Sequence, residues 1–148
     1  MPFFGMENAW AMDFIEFKTK VEEHATGRMT DAAFIDLCHR VITVDAVGDD
    51  WYRAVVHVDL GQAHLARNEL DQAREAFSSC IREMPGESVC YFGMSLYHTT
   101  MHNTQEAVRY ALLAADHNPD PAAAETIRHH AADLPRIINA MPLPDKTD

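Results

Sequence analysis

The sequence predicts an all-α fold of helical hairpins stacked side by side, about seven helices in a single domain over 1–148, and three observations carry that prediction. Residues 54–87 and 88–121 are two copies of one 34-residue pattern. Laid together without a gap, Leu60 falls on Met94, Gly61 on Ser95, Ala73 on Ala107, Phe77 on Ala111, Cys80 on Ala114 and Pro85 on Pro119. Apolar residues recur every three or four positions, the spacing of one face of an α-helix. Helix breakers at Thr26-Gly27, Gly48, Asn68, Pro85-Gly86 and Asn118-Pro119 leave segments of helix length between short turns.

Asn8 is the expected cap of a first helix over 8–25, with Trp10, Phe14, Phe17 and Val21 on one face. Thr30 is the expected cap of a second, whose buried stripe is Phe34, Leu37, Cys38, Val41 and Ile42 and which closes at Gly48. The repeat frame shifted back by 34 residues puts Gly27 and Arg28 on the slots of Gly61 and Gln62, inside a turn. Residues 8–48 therefore read as an amino-terminal helical hairpin packed on the repeats. Asp50 caps a helix over 51–67, Asn68 turns the chain, and 70–84 supplies the second helix of the first copy. The second copy gives helices over 87–101 and 104–117, the latter opened by Thr104, Gln105 and Glu106. Asp120-Pro121 starts a seventh helix, a capping helix or partial third repeat over 122–134 that ends before Pro135 and covers the apolar face of the last hairpin. Residues 135–148 are proline-broken and read as a flexible tail.

Composition narrows the function classes. Twelve Lys plus Arg against 23 Asp plus Glu give a net charge of -11, which disfavours nucleic acid and anionic lipid as partners. No apolar run approaches the roughly 20 residues a membrane-spanning helix needs. The amino terminus has no basic residue ahead of its apolar stretch, so no signal or transit peptide is indicated. Cys38, Cys80 and Cys90 are odd in number and lack C-x-x-C spacing, and they read as reduced thiols of a cytoplasmic protein.

The two copies resemble the tetratricopeptide repeat family over 54–121. The resemblance implies a right-handed α-α superhelix in which the helices of a unit cross at Gly61 or Ser95 against Ala73 or Ala107, with Phe77 filling the space between units. Departures are His64 and His98, where the family usually has an aromatic, and His57 and Tyr91, where a large apolar residue is common. It further implies that the first helix of each unit lines a concave face holding an extended segment of another protein. Val55, Val58, Asp59, Gln62, Leu65 and Ala66 fall on that face from the first copy. Val89, Phe92, Gly93, Leu96, Thr99 and Thr100 fall on it from the second. The Lys, Arg and Asn that clamp a peptide carboxylate in some members are replaced by Val58, Gln62, Val89 and Gly93.

A mostly apolar groove is thus expected, exposed at Val55, Val58, Leu65, Phe92 and Leu96 unless the amino-terminal hairpin, the tail or a second copy of the chain covers it. The function expected is an adaptor or chaperone that binds a hydrophobic segment of a partner protein. Alternatives are a self-assembling homodimer or higher oligomer, and a chaperone similar to the small repeat proteins that hold translocators of bacterial type III secretion.

Catalytic chemistry is not indicated. Ser78, Ser79 and Cys80 lie on a helix with no glycine-rich turn to expose a nucleophile, and no phosphate-binding or H-E-x-x-H motif is present. Cys90, near a helix start, is a thiol whose pKa the helix terminus could lower, although a buried structural role is expected. Nine histidines raise metal binding: His98 and His102 are spaced to share a helix face, and His129-His130 lies in the last helix, but no further ligand completes a set. No cofactor or metal is expected. Tyr91, Phe92, Tyr97 and Tyr110 form an aromatic group without the basic neighbours of a base-stacking platform.

Overall fold

Seven α-helices and no strand make up the described part of the chain, residues 12–45 and 49–143 of a computed structural model. Helix α1, Phe14–Ala25, is capped by Asp13, whose carboxylate accepts from the Glu16 amide at 2.8 Å. The expected cap Asn8 and the stripe residue Trp10 lie outside the described residues, as does Gly48. Gly27 leaves α1 with a φ of 79°, a conformation glycine adopts without steric cost. Thr30 caps α2, Asp31–Arg40, through its hydroxyl and the Ala33 amide, and the helix widens into one π-type turn over Val41–Asp45.

The two repeat copies follow. Helix α3, Asp50–Ala66, is capped by Asp49, one residue earlier than the sequence suggests. Helix α4, Leu70–Glu83, stops ahead of Pro85-Gly86. Helix α5, Ser88–Thr100, and helix α6, Thr104–Asp116, repeat the pair. Asn68 and His102, 34 residues apart, both take up the left-handed conformation, with φ of 59° and 57°. The same hydrogen bonds close both turns: Glu69 N–H donates to His64 O, and Asn103 N–H to His98 O, each at 2.9 Å.

Each helix packs on its neighbours in the chain, and α3 also lies against α5. Phe17, Phe34, Cys38, Val41, Tyr52, Val56 and Leu60 form the core that fixes the amino-terminal hairpin to α3. Phe77 is fully buried between α3 and α5, where Gly61 and Gly93 leave room for its ring, and a Cβ at either position would overlap that ring. In the second copy Ser95 takes the place of Gly61, and its hydroxyl donates to Ala107 O at 2.7 Å.

Two expectations are corrected here. Helix α7, Pro121–Ala140, does not stop before Pro135 but carries it as an interior residue, so 135–140 is helix rather than tail. Proline at that place costs roughly 3 kcal/mol in an isolated helix. Leu134 and Ile138 on either side of it are buried against Ala107 and Ala111, and that packing holds the last turns in place. The thiols are not all free either: Cys80 and Cys90, both fully buried, are joined as a disulfide across the Pro85-Gly86 turn, leaving Cys38 as the free cysteine among the described residues. The bond also removes Cys90 as an activated thiol.

Candidate functional site

The residues expected on a concave face lie on α3 and α5, and the structure divides them. Val58 packs into both the Cys80, Met84 and Cys90 cluster and the Ala73, Phe77, Met94 and Tyr97 cluster. Leu65 joins the second of these, Val89 the first, and Val55 packs against the core that contains Phe17 and Tyr52. All four are half-buried, so the apolar floor expected to be open is largely used to hold the helices together. The reason is geometric. Helices α3 and α5 approach closely enough at Gly93 to take in Val58, while Val55 is drawn toward the amino-terminal hairpin.

What remains is two patches. Phe92 and Leu96 are half-buried on α5, and the Phe92 ring lies 5.9 Å from the His130 ring of α7. Thr99 stands one turn further on, with its hydroxyl donating to Ser95 O at 2.8 Å. Asp59 and exposed Gln62 form the other patch, facing Val21, His24 and Phe34 across a cavity of about 280 Å3 between α3 and the amino-terminal hairpin.

Asp59 is the electrostatic feature of this face. Its Oδ2 is buried and has no hydrogen-bond partner among the described residues. Burial pushes the carboxyl up to about 6, with the Lys18 ammonium pulling weakly the other way. Its negative charge in turn adds to the burial that holds the Cys38 thiol far above the ordinary thiol range. A buried carboxylate oxygen without a donor is costly and is met most directly by an incoming cation or N–H group.

The histidines are placed differently from the sequence reading. Helix α5 ends at Thr100, so His102 lies in the turn and does not share a helix face with His98. The His98 ring stacks on Tyr110, with centroids 5.4 Å apart and planes at 6°, while His102 Nε2 reaches Pro142 O at 2.7 Å. His129 pairs with Glu125 at 3.3 Å. Among the described residues no three His, Cys, Asp or Glu side chains gather to hold a metal ion. The aromatic group is dispersed as well: Tyr91 stacks on His117, Tyr97 meets His98 edge-on, and Phe92 faces α7.

Sequence reasoning missed His57 and His64, which line a cavity on another side of α3. The available signal was in the repeat itself, where His57 and Ala76 stand at the slots of Tyr91 and Tyr110. No helix among the described residues is long and apolar enough to cross a membrane. No protein-family model, curated protein or solved structure matches the chain.

Proposed function

We propose that the chain is a protein-binding module of the tetratricopeptide type, without enzymatic activity, that holds a partner segment along α3 and α5. One observation supports this reading above the others: contacts recur at the same 34-residue offset. Cys80 Sγ meets Ala54 O in the first unit, and Ser88 Oγ donates to Ala114 O in the second, joining the same two slots. His57 meets Glu83 as Tyr91 meets His117. A chain that repeats a helical hairpin in such register presents its first helices side by side, and parallel first helices suit an elongated ligand.

The patches define the segment. An apolar side chain would meet Phe92 and Leu96, and a Lys or Arg of the segment would meet the unsatisfied Asp59 carboxylate. Cytoplasmic residence belongs to this reading as a proposal, tested by fractionating the native cell. The Cys80–Cys90 bond makes fractionation decisive, since reducing compartments keep most thiols free and recovery in an oxidising one overturns this part of the reading.

Affinity capture from the native cell, followed by the double variant Phe92→Asp and Leu96→Asp, tests the proposal. Loss of the captured partner with an unchanged helical circular-dichroism signal is the expected result. Capture that survives the double change contradicts it. Capture by the native chain is also expected to strengthen as pH rises through about 6, where Asp59 gains its charge, and Asp59→Asn removes that rise.

A further inference from the structure

Between α2, α3 and α4 lies a cavity of about 480 Å3, within the range of about 300–1,000 Å3 typical of small-molecule sites. It shares no residue with the proposed partner-binding set on α3 and α5. Leu60 and Ala76 form its buried floor, and the rings of His57 and His64 stand in its wall. Asp71 and Glu75 place exposed carboxylates on its rim.

The second unit shows what fits such a space. A step of 34 residues turns His57 into Tyr91, Ala76 into Tyr110 and Glu75 into Arg109, and leaves His64 a histidine, His98. There the chain supplies its own aromatic rings. Tyr91 donates its hydroxyl to Pro85 O at 2.6 Å, Tyr110 lies parallel to His98, and the Arg109 guanidinium sits 4.4 Å from the Tyr110 centroid. In the first unit Ala76 offers a methyl group where Tyr110 offers a phenol, and His64 borders open volume.

The His57 ring lies buried beside that volume, with both nitrogens covered. It is 5% exposed, and among the described residues neither ring nitrogen has a hydrogen-bond partner. Its Nε2 lies 3.2 Å from Glu83 Oε2 without the alignment of a hydrogen bond. Burial holds the ring below the ordinary histidine range, so at neutral pH it is uncharged and keeps an acceptor nitrogen. At the mouth the second unit has the Glu106–Arg109 ion pair, where the first has Gln72 and Glu75 with Asp71 beside them; Glu75 also accepts from Ser79 at 3.0 Å and lies 3.5 Å from exposed Arg82.

We propose that this cavity binds a small aromatic ammonium compound of the arylalkylamine class. Its ring stacks on His64 in the place Tyr110 occupies on His98, and its ammonium meets Glu75 and Asp71 at the rim.

Tyramine is the probe, because it joins the tyrosine ring to an ammonium. Titrated into the full chain, it is expected to shift the imidazole NMR signals of His57 and His64 along a saturating curve. The anion 4-hydroxyphenylacetate, with the same ring and the opposite charge, should bind at least about tenfold more weakly. Ala76→Tyr fills the volume from within and should abolish binding. Glu75→Arg, a change on the exposed rim that leaves the core intact, should weaken tyramine at least about fivefold and keeps the test open if the first variant does not fold. The proposal is overturned if millimolar tyramine leaves both histidines unmoved, if the anion binds as tightly, or if either folded variant binds tyramine with unchanged affinity.

Discussion

The two helical units, α3 with α4 and α5 with α6, share a hairpin turn and a close crossing and differ in how they fill the space around them. In the first, Phe77 occupies the space between α3 and α5, a disulfide ties α4 to α5, and the slots of two tyrosines hold a histidine and an alanine. In the second, Ala111 stands for Phe77, Ala114 and Ala124 stand for the two cysteines, and the tyrosines are present. The backbone is set by turns and small crossing residues that both units keep. Free volume and unsatisfied polar groups are set by residues that change from one unit to the next. The first unit therefore carries both the cavity of about 480 Å3 beside His57 and His64 and the orphan carboxylate, although the two units keep the same turn and crossing.

The largest expected effect comes from Phe77. Phe77→Ala removes a fully buried ring that two glycines make room for and should cost about 3–5 kcal/mol in urea denaturation. Gly61→Ala should cost about 1–3 kcal/mol alone and close to nothing once Phe77 is alanine, since the overlap is with that ring. Additive costs would show that the ring is not where the first unit differs from the second.

The disulfide comes next. Replacing Cys80 and Cys90 together by alanine gives the first boundary the side chains of the second, Ala114 and Ala124. A loop closed across a sequence separation of 10 residues contributes about 2–3 kcal/mol. The double variant should lose that amount, measured without reductant, and match the native chain measured with it. Equal stability under all conditions would mean that the staple does not distinguish the boundaries.

Asp59 gives the smallest effect, and its counterpart is Gly93. Its carboxyl ionises at about 6 in the folded chain against about 3.9 unfolded, so between those values the folded state holds the proton that the unfolded state has lost. Its contribution is accordingly most favourable below about pH 4, falls as pH rises to about 6, and stays level above. Asp59→Asn should be more stable than the native chain at pH 7 by less than the roughly 3 kcal/mol that the full shift would give, on the order of 2 kcal/mol at this partly exposed site, and about equal to it near pH 4. A constant difference at both pH values would assign the effect to packing.

What could be read from the sequence followed locality. Asn68, Thr30, Asp120-Pro121 and Pro85 act on their own turns, and the helices begin or end within a residue or so of where they point. Pro135 was misread because its local preference is opposed by Leu134 and Ile138 docking on a helix over twenty residues away. The Cys80–Cys90 bond depends on how tightly Pro85-Gly86 folds the chain back, which no spacing motif encodes. The sequence leaves Val58 as an open apolar residue, and only coordinates show that α3 and α5 come close enough at Gly93 to half-bury it. Empty volume has no residue to announce it. The cavity is visible in the sequence only as the exchanges of Tyr91 for His57 and Tyr110 for Ala76.

The most direct test of the equivalence of the two units is a NOESY spectrum of the ligand-free Ala76→Tyr variant. If the first unit has the backbone of the second with its rings left out, the introduced ring should give cross-peaks to His64 and move its imidazole signals upfield, in the manner of His98 beneath Tyr110. A folded variant whose introduced ring contacts only solvent, with His64 unshifted, would contradict it.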